Sequence, residues 1–458
     1  MSDESKTGLL AKLNLFDSTL LVIGSVIGSG IFLTTGIIAK SLPFAEWILF
    51  VWVLGAVLML FGGLTFAELG AMMPKAGGQY IYIREAYGPL AGFIYGWSAF
   101  LIIQTGGIAA LAVGFAEYLS YFIPRFGLNT FILEIAVIKI STGQIIAIVS
   151  IGLLTMINYV GIRAGSSVQN FFTILKIIAI AVLVSGGLFI TVDSGDKVYE
   201  MTNPLVPDSY SLIAAVGVGL IAVLWTFDGW YTVNGVASEI KNVKKNLPLS
   251  LILGISFIAL VYLLVNIFYV RALPINEMAG VVRIGEKATT NVFGETYGSA
   301  MSALILISIF GCLSANIIYG PRVFFAMAQD GLFFKSLANV HTKYHTPHSA
   351  IIWQGVWAAL LCLTGSYEQL FTYVVFAVLV FYIANALAVV LLRKKNPQAE
   401  RPYKVWGYPV VPALFGLSMF WIMINTLIEK PAESLIGALL ILSGLPIYFY
   451  WQKKSKQL

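Results

Sequence analysis

Residues 18–39 read STLLVIGSVIGSGIFLTTGIIA, twenty-two positions without a charged side chain between Asp17 and Lys40. A bilayer's hydrocarbon core, about 30 Å thick, takes roughly 20 apolar residues to cross as a helix, so this stretch is long enough to span. Its middle, Ile27-Gly28-Ser29-Gly30-Ile31-Phe32, is a poor place for continuous helix. Each glycine weakens a helix by roughly 1 kcal/mol relative to alanine. A break there frees backbone N–H groups to face a ligand. The run is too long for the apolar part of a cleavable signal, and no small-residue cleavage site follows it.

Extending outward, the chain repeats this pattern. Of 458 residues, 28 are Lys or Arg and 22 are Asp or Glu, 11% in all, whereas 59% are hydrophobic. A soluble domain carries roughly a quarter charged residues, so these few could not cover soluble surfaces. The same composition excludes a disordered chain, a secreted disulfide scaffold and a nucleic-acid binder. Charge-free windows run 18–39, 47–67, 86–116, 140–162, 246–270, 296–321, 344–367, 369–392, 405–428 and 434–452. Two more, 164–192 and 209–238, are interrupted only by Lys176 and Asp228 respectively. The reading is an all-α membrane protein of twelve transmembrane helices, with no room left for a soluble domain.

Lysine and arginine concentrate in cytoplasmic loops. With the N-terminus inside and the helices alternating, 19 basic residues fall inside, 8 outside, and Lys176 lies within a span. Both termini are therefore expected in the cytoplasm. Cys312 and Cys362 lie inside predicted spans, so no extracellular disulfide is implied. The absence of any Asn-x-Ser/Thr acceptor fits a bacterial inner membrane.

The sixth window contains Leu224-Trp225-Thr226-Phe227-Asp228-Gly229-Trp230. Spans 1 and 6 open two five-helix halves, and interrupted helices at matching places of two halves point to a transporter's binding site. Small residues also let membrane helices pack closely, the plainer reading of Gly24-x-x-x-Gly28. Donors freed at a half-helix N-terminus suit a carboxylate, and unwound carbonyls suit an ammonium, so the physics selects a zwitterion such as an α-amino acid. Gly28, Ser29 and Gly30 would donate, and carbonyls around Val26, Trp225 and Asp228 would accept. The candidate site is thus Val26, Ile27, Gly28, Ser29 and Gly30 with Trp225, Phe227, Asp228 and Gly229.

A lysine in mid-membrane costs roughly 2.5–3.5 kcal/mol, so Lys176 should face the bundle and be paired. It would act as a fixed cation where a coupled transporter holds sodium, bridging the break in span 1 and polar groups on span 8 such as Ser314. Snorkelling to an interface is the alternative, though about ten residues separate it from either end. Asp228 has three readings: a cap on the second half of span 6, a partner for the substrate ammonium, or a proton carrier. His341, His345 and His348, in HTKYHTPH, have no Cys or acidic neighbour and read as a solvated loop without metal. No phosphate-binding loop, nucleophile elbow or carboxylate pair is present, so neither an enzyme nor a cofactor is expected.

The residues resemble the amino acid–polyamine–organocation superfamily, specifically its L-type amino acid transporter branch and bacterial serine/threonine exchangers. The likeness covers essentially all twelve spans. It rests on IGSGIF at 27–32, AELGAMMPKAGGQYIYIREAYGPLAGFIYGW at 67–97, FDGW at 227–230, EIKNVKKNLP at 239–248, PRVFFAMAQDGLFF at 321–334 and RPYKVWGYP at 401–409. The resemblance implies a LeuT-like five-plus-five inverted repeat, 1–192 and 209–393, with two appended helices in 405–452. It implies carboxylate binding at Ser29 and Gly30, amino-group binding on carbonyls of Val26, Trp225 and Asp228, and an aromatic gate at Trp225. Lysine at the Lys176 position is typical of the sodium-independent branch, which works mainly by obligatory exchange. Two departures stand out. Span 8 carries Ser314-Ala315-Asn316 where relatives often have Asn-Gly, and residues 124–141 lack the cysteine that links animal members to a glycoprotein heavy chain. No such partner is expected.

Overall fold

The computed structural model describes residues 11–135, 138–189, 211–364 and 367–455. Lys6, Lys197 and the junction 192–209 between the two expected halves lie outside them. A helix occupies each of the twelve charge-poor windows. Among the described residues, ten helical segments are long and apolar enough to cross a membrane. The other two windows hold shorter helices, Leu212–Phe227 and His348–Leu361.

The first window is two helices, α1 (Leu15–Val26) and α2 (Gly30–Ala39). The Asn14 side chain accepts from the Asp17 amide while Asp17 accepts from that of Asn14, and this reciprocal pair fixes the start of α1. Then follow α3 (Ala45–Met72), α4 (Gln79–Tyr87), α5 (Pro89–Ser98) and α6 (Gln104–Phe122). A π-helical turn at Ala99–Ile103 joins the last two. An antiparallel hairpin, β1 (Phe131–Ile135) and β2 (Ile138–Ser141), adds to the all-α reading a small element that the sequence did not suggest. Next come α7 (Thr142–Tyr159), α8 (Ile162–Phe189), α9 (Leu212–Phe227) and the single turn α10 (Thr232–Gly235). The chain continues through α11 (Val243–Ala272), α12 (Ile275–Met278), α13 (Ile284–Phe293) and α14 (Glu295–Gln329). It ends with α15 (His348–Leu361), α16 (Tyr367–Lys395), α17 (Val410–Glu429), α18 (Pro431–Leu442) and α19 (Gly444–Ser455).

The burial pattern is that of a membrane protein. Large apolar side chains point outward along the long helices: Met156 is 71% exposed, Val182 67% and Leu417 66%. Polar groups point inward, among them Lys176, Asn266, Gln104 and Glu68. An outer surface of that kind is stable against lipid and costly against water. The protein is a multi-pass membrane protein.

The two broken helices pack crosswise. Helix α2 lies against α9, and α10 lies against α1, so the part after each break meets the part before the other. Helices α8, α11 and α14 surround α1. Both breaks are thereby brought to the centre of the bundle.

Candidate functional site

At the first break Ile27 turns to an extended conformation, φ −72° and ψ 91°, before α2 resumes at Gly30. Among the described residues, no backbone carbonyl accepts from the amides of Gly28, Ser29 or Gly30. The glycines also permit close approach. A Cβ on Gly30 would lie 2.8 Å from Thr226 Cα, and across that contact Thr34 Oγ1 is 2.8 Å from Thr226 Oγ1. At the second break Asp228 closes α9 and Gly229 adopts φ +98°, which favours glycine. A Cβ there would sit 2.8 Å from the Ser25 carbonyl.

Polar side chains hold the loosened backbone. Tyr262 of α11 places its hydroxyl 3.0 Å from both the Val26 and the Thr226 carbonyls, one from each break. Ser25 Oγ lies 3.0 Å from the Gly229 carbonyl and from Thr232 Oγ1. The Ser25 carbonyl accepts from Cys312 Sγ at 3.0 Å and Asn316 Nδ2 at 3.2 Å, both on α14.

Lys176 is 1% exposed, and its ammonium donates to the carbonyls of Gly24, at 3.1 Å, and of Ile27. It sits at the C-terminal end of α1, where the helix dipole favours a cation. The carbonyl of Ile27 also has Ser308 Oγ at 3.4 Å. The structure does not join Lys176 to Ser314, whose hydroxyl is buried without a hydrogen-bond partner. The reason is helical phase. Positions 308, 312 and 316 recur every four residues on one face of α14, whereas 314 lies two residues from either neighbour and points away.

The Asp228 side chain does not cap α10, which has no side-chain cap at its start. Instead Tyr231 donates to Asp228 Oδ2 at 3.4 Å, the Tyr382 hydroxyl and the Gly229 amide also face the carboxylate, and Oδ1 makes no close hydrogen bond among the described residues. Tyr231 in turn accepts from Gln104 Nε2 at 3.4 Å, just beyond the π-helical turn. Such turns widen a helix locally and recur at functional sites.

These groups enclose a cavity of about 20 Å³, bounded by Val26, Gly28, Ser29, Gly30, Trp225 and Asp228, with Cys312 and Asn316 opposite. Three of the sequence-derived candidates are elsewhere. Phe227 packs between Trp52 and Tyr262 in the core, with ring centroids 6.3 and 5.0 Å away. Ile27 and Gly229 contribute backbone carbonyls, to Lys176 and Ser25 respectively. On the face that the charge count assigns to the outside lies a larger cavity of about 500 Å³, with Lys40, Glu117, Gln144 and Glu368 in its wall. The His341 to His348 loop shows no metal geometry. His341 Nδ1 accepts from the Lys343 amide at 3.2 Å, and the rings of His341 and His348 are 5.4 Å apart beside Tyr159.

The amino acid permease profile matches residues 13–450. The chain belongs to the amino acid permease family. The permease is 33% identical to the serine/threonine exchanger SteT of Bacillus subtilis (strain 168), over 98% of each chain. It is 30% identical to the human b(0,+)-type amino acid transporter 1, over 98% of the permease and 89% of the relative. To the mouse large neutral amino acids transporter small subunit 2 the identity is 29%, over 98% and 83%. These relatives are transporters by name.

Two residues beside the permease's cavity escaped the sequence reading, Tyr262 and Tyr367, whereas the sequence places Cys312 only in a span and Asn316 only in the span 8 departure. Tyr262 carried a usable signal, a hydroxyl near the middle of a span that must find an acceptor there. Tyr367 carried none, since it stands at the edge of a window beside Glu368.

Proposed function

We propose that this permease exchanges small neutral L-amino acids, such as serine, threonine or alanine, across the plasma membrane without sodium. A bacterial inner membrane, with both termini cytoplasmic, is the location the reading takes. The arrangement is a twelve-span bundle with a LeuT-like inverted repeat, halves 1–192 and 209–393, and helices in 405–452 appended. The crosswise packing of α1 and α2 with α9 and α10 supports that repeat.

The observation that carries the reading is the pairing of unlike half-helix ends around one cavity. Amides of Gly28, Ser29 and Gly30 stand at the positive end of α2 for a carboxylate. Asp228 Oδ1, buried and without a close hydrogen bond among the described residues, offers an ammonium its acceptor. The Val26 carbonyl already accepts from Tyr262, and that of Trp225 from the Asp228 amide at 3.0 Å, which leaves them less free for this task. Lys176 supplies the fixed positive charge on the α1 carbonyls, and this supports independence from sodium. A cavity of about 20 Å³ has room for roughly one water, so a substrate enters only as the gate at Trp225 moves. That movement, first to one face and then to the other, is alternating access. Relatives named as exchangers and amino acid transporters support the same substrate class. No disulfide-linked heavy chain belongs to the reading, and neither cofactor nor nucleic acid takes part.

Labelled serine uptake into sodium-free proteoliposomes tests it. Uptake should be fast only into vesicles preloaded with unlabelled serine, threonine or alanine. Equal uptake into empty vesicles under a proton gradient overturns exchange. It would favour the second reading, proton-coupled symport through the carboxylate of Asp228. Binding of serine without any transport would identify a sensor.

A further inference from the structure

Tyr367, the first residue of α16, touches both sides of the candidate site at once. Its hydroxyl accepts from Trp225 Nε1 at 2.9 Å and lies 3.0 Å from Ser29 Oγ. The ring stands edge-on to Trp225, centroids 6.2 Å apart at 78°, and Phe371 stacks on Trp225 at 5.7 Å. Tyr367 also forms part of the wall of the 500 Å³ outer cavity, whereas Ser29 and Trp225 bound the small central one. The partition between the two cavities is therefore a chain of two hydrogen bonds, Trp225 to Tyr367 to Ser29.

Trp225 donates to one lone pair of the Tyr367 hydroxyl oxygen, and the other lone pair can accept the proton of Ser29 Oγ. Ser29 also stands in the proposed carboxylate site, where its hydroxyl can add one donor to the amides of Gly28, Ser29 and Gly30. A carboxylate accepts a hydrogen bond more strongly than a hydroxyl does, so an arriving substrate competes with Tyr367 for Ser29.

We propose that Tyr367 is a latch on the outer side of the empty site, and that a substrate carboxylate opens it by displacing the tyrosine hydroxyl from Ser29. The proposal rests on the amino acid reading given above. Tyr367 is on this account a positioning residue, acting through Ser29 and Trp225. Occupancy of the site and opening toward the outer cavity become one event, because the single proton of Ser29 cannot serve both partners.

Tyr367→Phe keeps the ring and removes only the hydroxyl. Serine binding to the purified protein should then tighten on the order of five-fold, the worth of about one net hydrogen bond. In proteoliposomes the KM for serine should fall by a similar factor, because every loading of the site must take the Ser29 proton from Tyr367. Unchanged binding in Tyr367→Phe overturns the latch, as does weaker binding, which marks an ordinary substrate contact. The double variant Ser29→Ala with Tyr367→Phe should bind serine no tighter than Ser29→Ala alone; a further gain of five-fold also overturns it. If the wild type shows no preloading effect yet Tyr367→Phe binds more tightly, exchange falls and the latch stands. If the wild type binds no amino acid by either measure, both fall.

Discussion

At the scale of single residues the sharpest case is Lys176. Its charge lies where a lysine costs roughly 2.5–3.5 kcal/mol, and what offsets that cost is its contact with the carbonyls of Gly24 and Ile27. Replacing a buried ion by an apolar side chain of similar length is often close to neutral for stability, because the desolvation cost disappears with the interaction. Function is a separate matter. With the ammonium gone, nothing positive stands at the end of α1, and the shape of the first break loses its anchor. Lys176→Met should therefore leave the unfolding free energy within about 2 kcal/mol of wild type while lowering exchange at least ten-fold. Thermal unfolding in detergent and labelled serine exchange measure the two effects separately. Full exchange by Lys176→Met would remove the lysine from the mechanism.

At the scale of elements, the breaks in α1–α2 and α9–α10 are held by side chains from neighbouring helices rather than by their own sequence. Tyr262 is the strongest example, since one hydroxyl serves carbonyls from both breaks. A buried carbonyl left without a donor costs about 1–3 kcal/mol, so Tyr262→Phe should destabilise the fold by about that much. A midpoint of thermal unfolding equal to that of wild type would show that the breaks hold themselves. The same contrast explains what the sequence made legible. Gly28, Gly30, Asp228 and Gly229 announce the breaks because they contradict an apolar helix locally. Lys176 announces itself because a buried charge demands a partner. Which partner it meets is a matter of helical phase and neighbours, and so Ser308 rather than Ser314 shares the Ile27 carbonyl. Phe227 looks like part of the site by adjacency, yet the turn at Asp228 sends its ring into the core beside Tyr262. The π-helical turn at Ala99–Ile103 and the pairing of Phe131–Ile135 with Ile138–Ser141 leave no mark in the spacing of charges and glycines.

At the scale of the whole molecule, the two faces differ in how they are closed. The face assigned to the cytoplasm is bound by ion pairs. Arg322 and Glu239, 2% and 1% exposed, meet at 3.0 Å. Arg393 donates to Glu68 at 2.6 Å, and Asp330 accepts from Arg84 and from Tyr80, the latter at 2.5 Å. The chain before α1 is pinned to the same region, with the Leu13 amide donating to the Glu239 carbonyl at 2.9 Å and the Lys241 amide to the Leu13 carbonyl at 2.8 Å. The opposite face holds the open cavity of about 500 Å³. The opposite face has ion pairs too, Arg283 with Glu117 and Lys430 with Glu368, but these are partly exposed; on the proposed orientation the buried pairs are the ones that must break for release inward. Orientation is easy to test, because Cys312 and Cys362 are buried, at 2% and 0% exposure, and contribute little background to thiol labelling. Asn276, between α11 and α13, and Ser336, after α14, are both exposed and lie on opposite faces by the charge count. A membrane-impermeant maleimide should label Asn276→Cys in intact cells, and Ser336→Cys only after the membrane is permeabilised. The reverse pattern would invert the molecule and place the ion-pair seal outside; the open cavity would then be the route of exit rather than entry, and the latch at Tyr367 would govern release.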